Sequence, residues 1–527
     1  MHPPPLSGPI KSIKTNEPPK PQPFKKMLTI LVLVALPIIL ILYLQKLKPK
    51  PAENLLPPGP PGLPFIGNLH QFDAQYPHKY LNNLSEQYGP LMSMKLGSRP
   101  VLVISSAHVV KEIMKSHDIV FSGRPTHVAM QRLSYNGLDI AFSSYNDLWR
   151  EMRKVSNLHL FSPKQVELFR PVREDEVSRM INKISRDASL SRVTNLSEMV
   201  NTMTSNTICR VALGKSSMDE GFASRFYELF HDVQGVLVAF YVEDYFPLLG
   251  WIDKISGMRK RLEKIFRDLD SFYQELIEEH LDKNRPISME GDILDILHGL
   301  KRDGLSSIAL TMDHVKAVIM NILAGGTDTG SATIVWAMTA LMKNPLIMKK
   351  AQAEIRQQLV GKKELIDEDD VVKLPYLRAV IKETFRLYPP APLLAPRETI
   401  EKCGLNSYEI QRGTLVYINA WAIARDPKIW KNPDEFVPER FLDSEIDVRG
   451  HHPEVIPFGI GRRGCPAMLM GMAEVELGLA NLLCSFDWKL PPAMKEEDVD
   501  FDGLPGLTMH KKSALCVMAK PSIVTGM

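Results

Sequence analysis

A chain of 527 residues with 44% hydrophobic content can bury a large core, and its length alone allows two or more domains. A net charge of +3, from 64 basic and 61 acidic residues, is close to balance, so no global basic field points to nucleic acid. Five cysteines, at positions 209, 403, 465, 484 and 516, include no C-x-x-C pair; this argues against a disulfide framework or a zinc site and fits a reducing compartment.

Residues 1–26 are proline-rich and polar and are expected to be disordered. Residues 27–44 form an apolar run broken by Thr29 and Pro37, just long enough to span a bilayer. No small-residue cleavage site is evident, so a retained signal-anchor is expected rather than a removed signal peptide. A buried core helix is the alternative, disfavoured by the flanking lysines and the terminal position. Lys11, Lys14, Lys20, Lys25 and Lys26 precede the span, whereas Lys46, Lys48 and Lys50 follow it. Charge counting would therefore put the body on the wrong side of the membrane, and a start at Met27 removes the conflict. Residues 45–64 read as a basic, proline-rich linker that is stiff from Pro57 to Gly62. Residues 65–527 read as one body.

Within that body, Leu91–Leu96 and residues 101–104 flank Gly97-Ser98-Arg99-Pro100 and predict a β-hairpin. Long amphipathic patterns predict helices from about residue 105 to 390, and residues 414–419 predict a returning strand. The expected class is mainly α with a small β-rich region. Trp149 and Arg153 stand one helical turn apart, next to Arg150 and Lys154. Met312–Lys343 predicts one helix, roughly 48 Å long at 1.5 Å per residue, apolar on nearly every side and so expected in the core. Gly325-Gly326 in its middle costs roughly 1 kcal/mol per glycine against alanine. A flat ligand, a local kink or a close helix contact would offset that. Thr327, Asp328 and Thr329 follow, and polar groups in a core helix need partners. Glu383 and Arg386 share one face of a later helix, where such a pair is ordinarily a weak surface bridge.

Residues 457–467 form a glycine-rich loop that delivers Cys465 to a helix. Gly459, Gly461 and Gly464 permit backbone conformations closed to other residues, and Pro466 suits a first helical position. Met468, Met472, Val475, Leu479, Leu482 and Leu483 then recur at helical spacing. A thiol at a helix N-terminus beside Arg462 and Arg463 is favoured as thiolate, the form that ligates a metal. A buried structural cysteine is the alternative reading of the residue on its own.

Phe458, Gly461, Arg463 and Cys465 meet the loop frame of the cytochrome P-450 superfamily, which the chain resembles over roughly residues 57–520. That frame usually closes on Gly, where Ala467 stands here. Gly326-Thr327-Asp328-Thr329 resembles the oxygen-activation motif of the family, whose last position, usually Ser or Thr, is Gly330. Glu383-x-x-Arg386 and Pro438-Glu439-Arg440-Phe441 resemble its charge triad, and the stretch from Asp244 to Trp251 resembles the plant group that makes specialised metabolites. The resemblance implies a cytochrome P-450 fold behind an N-terminal transmembrane anchor. It implies haem b (iron protoporphyrin IX) with Cys465 as axial thiolate and metal ligand, and with Trp149, Arg153, Arg397 and Arg463 at its propionates. Asp328 and Thr329 become the catalytic pair that organises water and protons for cleaving the O–O bond. Glu383, Arg386 and Arg440 become a buried structural triad with no chemical step.

The same resemblance implies a single-pass protein of the endoplasmic reticulum membrane with its catalytic body in the cytosol. Electrons come from NADPH through NADPH-cytochrome reductase, with cytochrome b5 as a second donor. The other partners implied are a lipophilic small-molecule substrate and membrane lipid, with no nucleic acid. A basic patch of Arg150, Lys154 and Arg462 would suit an acidic reductase. Apolar pocket walls are expected at residues 133–143, Ile322, Gly325, residues 393–395 and residues 504–509. The expected function is a haem-thiolate monooxygenase oxidising a plant specialised metabolite. Its alternatives keep the cofactor for dehydration, rearrangement or coupling, or make the chain a non-catalytic haem-binding membrane protein. The pair Asp328-Thr329 favours monooxygenation.

Overall fold

Apolar periodicity becomes helix wherever a stretch is long enough to bury one face. The computed structural model describes residues 56–214, 220–282, 291–304, 308–359, 365–492, 494–504 and 506–522. The expectations for residues 1–26, for the apolar run 27–44 and for the linker up to residue 55 lie outside them. Seven of the helices position the site: α1 (Asp147–Val155), α2 (Arg170–Ser189), α3 (Leu196–Leu213), α4 (Glu220–Leu237), α5 (Met312–Lys343), α6 (Pro375–Leu387) and α7 (Met468–Ser485).

Helix α5 is the axis of the fold and has the predicted bounds. Thr311 accepts from the His314 amide and His314 reaches back, a reciprocal cap that fixes its start. Its C-terminal half, with Ile334, Met338 and Leu341, packs against Leu377 and Ile381 of α6 and Leu479 and Leu482 of α7. Its N-terminal half, with Val318 and Ile319, packs with Ile208 and Cys209 of α3 and with Leu269 and Phe272. Each buried aliphatic side chain contributes about 1.5–3 kcal/mol, so a helix buried on both sides binds two cores into one body.

The adjacent glycines Gly325 and Gly326 of α5 do different work. A Cβ on Gly326 would lie 2.4 Å from Ile208 Cδ1, so this glycine lets α3 approach closely. Nothing lies within 4 Å of a Cβ on Gly325, which faces open space. Close helix packing thus accounts for one glycine and a cavity wall for the other, within one continuous helix.

Strands β1 (Leu91–Leu96), β2 (Arg99–Ile104), β3 (Arg397–Glu398) and β4 (Leu415–Ile418) form a sheet in the order β1-β2-β4-β3. The hairpin is tighter than predicted: Leu96 pairs with Arg99, leaving Gly97-Ser98 as the turn, with Gly97 at φ 60°. The returning strand runs parallel to β2, and Arg397 pairs with Val416 across β3 and β4. The short strand β3 thereby fixes the backbone of a residue that matters below.

Residues 57–62, read as a stiff linker, are held against the body. Pro57 and Pro58 carbonyls accept from Ser93 Oγ and N at 2.6 and 2.8 Å, and Asn68 Nδ2 donates to the Pro60 and Pro61 carbonyls. Proline lacks a donor but keeps its acceptor, so the segment docks along β1 instead of standing away. Helix α7 is long and apolar enough to cross a membrane, yet 67% of it is buried among the cores just described.

Candidate active site

The cysteine loop is shaped by two glycines. Gly459 and Gly461 sit at φ 73° and 69°, where other residues are strained, and a Cβ on Gly461 would meet Met114 and Asp118 at 2.5 and 2.6 Å. Gly464, with φ −57°, needs no such freedom. The Cys465 amide donates to the Phe458 carbonyl at 2.8 Å and closes the loop. Helix α7 begins at Met468, two residues later than Pro466 suggested, and the amide that reaches the sulfur is that of Ala467. Ala467 itself has φ −95°, an ordinary value for an L-residue, which explains why alanine serves where glycine is usual. Burial raises the Cys465 thiol, opposed by that amide and by the charge of Arg153. The side chain is exposed, but onto a cavity of about 330 Å³ that it lines together with residues from several elements.

Four arginines converge on this cavity. Asn146 caps α1 through the Trp149 amide, which orients Trp149 and Arg153 inward. Arg463 donates Nε to Ser122 and Nη2 to Ser143, each at 2.7 Å, and its guanidinium lies 4.2 Å over the Trp149 ring. Arg397 donates Nη2 to the Ile460 carbonyl at 2.7 Å, while its buried Nη1 finds no acceptor among the described residues. Arg124, which sequence reasoning missed, donates Nε to Ala141 and Nη1 to Ala395 and Pro396. It precedes a proline, which favours extended backbone, and no periodicity marks it as buried.

Burial, then repulsion among these neighbours, lowers Arg463 to about 8 and Arg124 to about 9; burial alone takes Arg397 to about 10. A guanidinium nonetheless stays protonated at neutral pH. Cations gathered and buried in this way favour an anionic ligand. Asp139 answers them only in part: its charge raises Arg124 and Arg463, but its carboxylate is wrapped by the Phe142 and Ser143 amides and by Asn321 Nδ2. A flat dianion such as haem b therefore fits the donor set, with Cys465 on one wall and Gly325 open on another. Trp149 differs from the expectation in one respect: its indole N–H is committed to the Ile140 carbonyl at 2.9 Å, and its ring supports Arg463.

On α5, Thr329 lines the cavity and donates its hydroxyl hydrogen to the Gly325 carbonyl at 2.8 Å, leaving an oxygen that can accept. Asp328 points elsewhere. Its Oδ2 accepts from Gln234 of α4 and lies 3.8 Å from His510 Nε2. The sequence pair is thus split, with the hydroxyl on the cavity and the acid held at its outer side. Glu474 of α7 also lines the cavity and was not foreseen, since a glutamate on a core helix looks like any solvated acid in sequence.

The predicted triad forms in full. Arg386 donates Nε and Nη2 to the two Glu383 oxygens at 2.7 and 2.8 Å, and Arg440 Nε reaches Glu383 at 3.3 Å. Of the expected pocket walls, Ile140, Ala141, Ile322, Gly325, Leu394 and Ala395 line the cavity. Among the described residues of the stretch 504–509 none does: Met509 is buried against Trp336, whose indole donates to the Met509 carbonyl. Arg150 pairs with Asp147 and Arg462 with Asp118, both at the surface.

The comparisons agree with this geometry. The sequence profile of the family described as Cytochrome P450 matches residues 57–518. A 6,7,8-trihydroxycoumarin synthase of Pastinaca sativa is 48% identical over 93% of this chain and 98% of its own length. A strychnine-11-hydroxylase of Strychnos nux-vomica is 44% identical over 92% and 95%. Among solved structures, a zebra fish cytochrome P450 with abiraterone aligns at TM-score 0.70 and 26% identity, covering 85% of this chain and all of that one. The chain belongs to the cytochrome P450 family, as a plant-type monooxygenase of specialised metabolism that uses haem iron, electrons from a reductase and a small-molecule substrate.

Proposed function

We propose that this protein hydroxylates a compact, lipophilic ring compound, using electrons from NADPH passed through NADPH-cytochrome reductase. The observation that carries this reading is the shared cavity: Cys465, Thr329 and four arginines line one apolar-walled space of about 330 Å³, within the range of small-molecule sites. Cys465 would hold the haem iron, and Arg124, Arg153, Arg397 and Arg463 its propionates, with Trp149 supporting Arg463. Bound there, thiolate-ligated haem activates dioxygen. Around it, Ile322, Leu394 and Ala395 hold the substrate by apolar contact, and Thr329 Oγ1 accepts a hydrogen bond from water and keeps it in place. Asp328, tied to Gln234, stands where solvent protons arrive. Relatives named for a trihydroxycoumarin, for 5-OH-xanthotoxin and for strychnine-11-hydroxylation support a ring system as substrate.

In the same proposal residues 27–44 anchor the chain in the endoplasmic reticulum membrane, against lipid, with the body in the cytosol. Arg150, Lys154 and Arg462 face the reductase, with cytochrome b5 as a second donor. Reduced protein under carbon monoxide should show the red-shifted Soret band of a thiolate-ligated haem, and Cys465→Ser should abolish it. A panel of coumarins and fused-ring alkaloids with reductase should include one that stimulates NADPH consumption and gains one oxygen. Survival of the band in the serine variant would sink the assignment of Cys465.

A further inference from the structure

Asn321 of α5 lines the cavity, yet both ends of its amide are spent on protein. Its Oδ1 accepts from the Ile140 and Ala141 amides at 3.0 and 3.1 Å, and its Nδ2 donates to Asp139 Oδ2 at 2.9 Å. The carbonyls of the same loop hold the donors of the anion site. The Ile140 carbonyl accepts from Trp149 Nε1 at 2.9 Å and from Arg463 Nη1 at 3.4 Å. The Ala141 carbonyl accepts from Arg124 Nε at 2.8 Å, and the Ser143 carbonyl from Arg463 Nη2 at 2.7 Å. A peptide unit is planar and trans, so its N–H and C=O point opposite ways. The Ala141 N–H and the Ile140 C=O belong to one such unit, and Asn321 aims it from behind. The next unit joins the Ala141 C=O to the Phe142 N–H, which Asp139 holds, and Asn321 in turn holds Asp139.

The loop does not keep this shape unaided. Tyr135, Asn136 and Gly137 lead into it at φ 53°, 62° and 83°, and the first two carry side chains that the left-handed region disfavours. The Tyr135 hydroxyl ties this entry to Asp270 at 2.8 Å, and Asn321 ties the stretch that follows. We propose that Asn321 is a positioning residue for the haem carboxylates: through residues 139–143 it aims Trp149, Arg124 and Arg463 at the anion. The inference rests on the monooxygenase reading and deepens it, because these donors have an anion to meet only when haem is bound. It also leaves Asn321 no role in hydrogen bonding the substrate, although the residue stands next to Ile322 on the cavity wall.

The test uses haem-loaded protein with no substrate added. Asn321→Leu keeps the bulk but removes both the acceptor and the donor. Hydrogen exchange at the Ile140 and Ala141 amides should speed up. Haem should pass to an acceptor protein about tenfold faster, the scale of one hydrogen bond to a charged group. The iron reduction potential should fall, since carboxylates with weaker donors leave more negative charge near the iron. The red-shifted carbon monoxide band should stay, because Cys465 is untouched. Asn321→Asp alone sets two carboxylates against each other and should lose haem in the same way. Asp139 Oδ1 already takes both the Phe142 and Ser143 amides, at 3.0 and 2.7 Å. Asn321→Asp combined with Asp139→Asn therefore rebuilds the bonds with the charge moved across the pair, and should bring haem transfer and potential back toward the parent. Unchanged haem transfer in Asn321→Leu, or a double variant that holds haem no better than Asn321→Asp, would overturn the inference. A parent protein without the carbon monoxide band would instead overturn the monooxygenase reading.

Discussion

Two sets of buried arginines in this molecule obey opposite rules. On α6, Arg386 is fully buried and every direction of its guanidinium is answered. Glu383 takes it in two bonds, and the Ala424, Pro433 and Glu435 carbonyls take the remaining hydrogens. Around the cavity, Arg124, Arg153, Arg397 and Arg463 gather with no ion pair to a carboxylate among the described residues, and Arg397 keeps a buried Nη1 without an acceptor among them. Charge that serves the fold closes on itself, because a lone buried ion is costly. Charge that serves a ligand is held in place by backbone carbonyls and left electrostatically open. The same contrast separates Glu383, locked between cations, from Glu474, whose buried Oε1 has no hydrogen-bond partner among the described residues.

Breaking the closed set should have the largest effect. Glu383→Ala leaves Arg386 and Arg440 as buried cations and strips the Val437 amide of its acceptor at 2.8 Å. The expected loss is about 3–5 kcal/mol of folding stability, read from the denaturant midpoint, and a shift of less than about 1 kcal/mol would show the triad to be ornamental. On the open side, Thr329→Ala should leave the denaturant midpoint within about 0.5 kcal/mol of the parent, as for a site remote from core packing. It should cut the proton-assisted step by on the order of 100-fold, seen as less product per NADPH with haem content unchanged. An unchanged ratio would make Thr329 a packed core residue.

Much of this was legible in sequence, for identifiable reasons. Helix α5 was readable to its last residue because Thr311 and Asn344-Pro345 punctuate an unbroken apolar run. The cysteine loop and the Glu383–Arg386 pair were legible because their residues stand at fixed short spacings, whereas Arg440, 57 positions from Glu383, was legible only through the resemblance of Pro438-Glu439-Arg440-Phe441 to the family's motif. Arg124 was not, since its partners at Ala141, Ala395 and Pro396 are up to 272 positions away. Nor was the split between Asp328 and Thr329, adjacent in sequence but one-quarter turn or so apart on a helix of 3.6 residues per turn. Sequence neighbours on a helix point in different directions, and only Gln234 and His510 reveal which way Asp328 turned. Nor does any sequence pattern show that a Cβ on Gly330 would come within 2.8 Å of Glu474 Oε2.

The open set can be tested most directly by removing two of its charges together. In Arg124→Met with Arg397→Met, two effects on the haem-free protein oppose each other. The carbonyls of Ala141, Ala395, Pro396 and Ile460 lose donors, which costs about 1–3 kcal/mol where they stay buried. Repulsion on Arg463 is relieved at the same time, since Arg124 and Arg397 are the two charges that lower it most. The net change in stability of the haem-free chain should therefore be well below that of Glu383→Ala. Haem retention should fall about tenfold, or about 1.4 kcal/mol, because a dianion loses two of its four cationic neighbours. Transfer of haem to an acceptor protein, timed for parent and variant, reads the second quantity, and the denaturant midpoint of the haem-free chain reads the first. A variant that unfolds as readily as Glu383→Ala yet holds haem as long as the parent would make these arginines a second structural cluster, and the contrast between the two sets would fail.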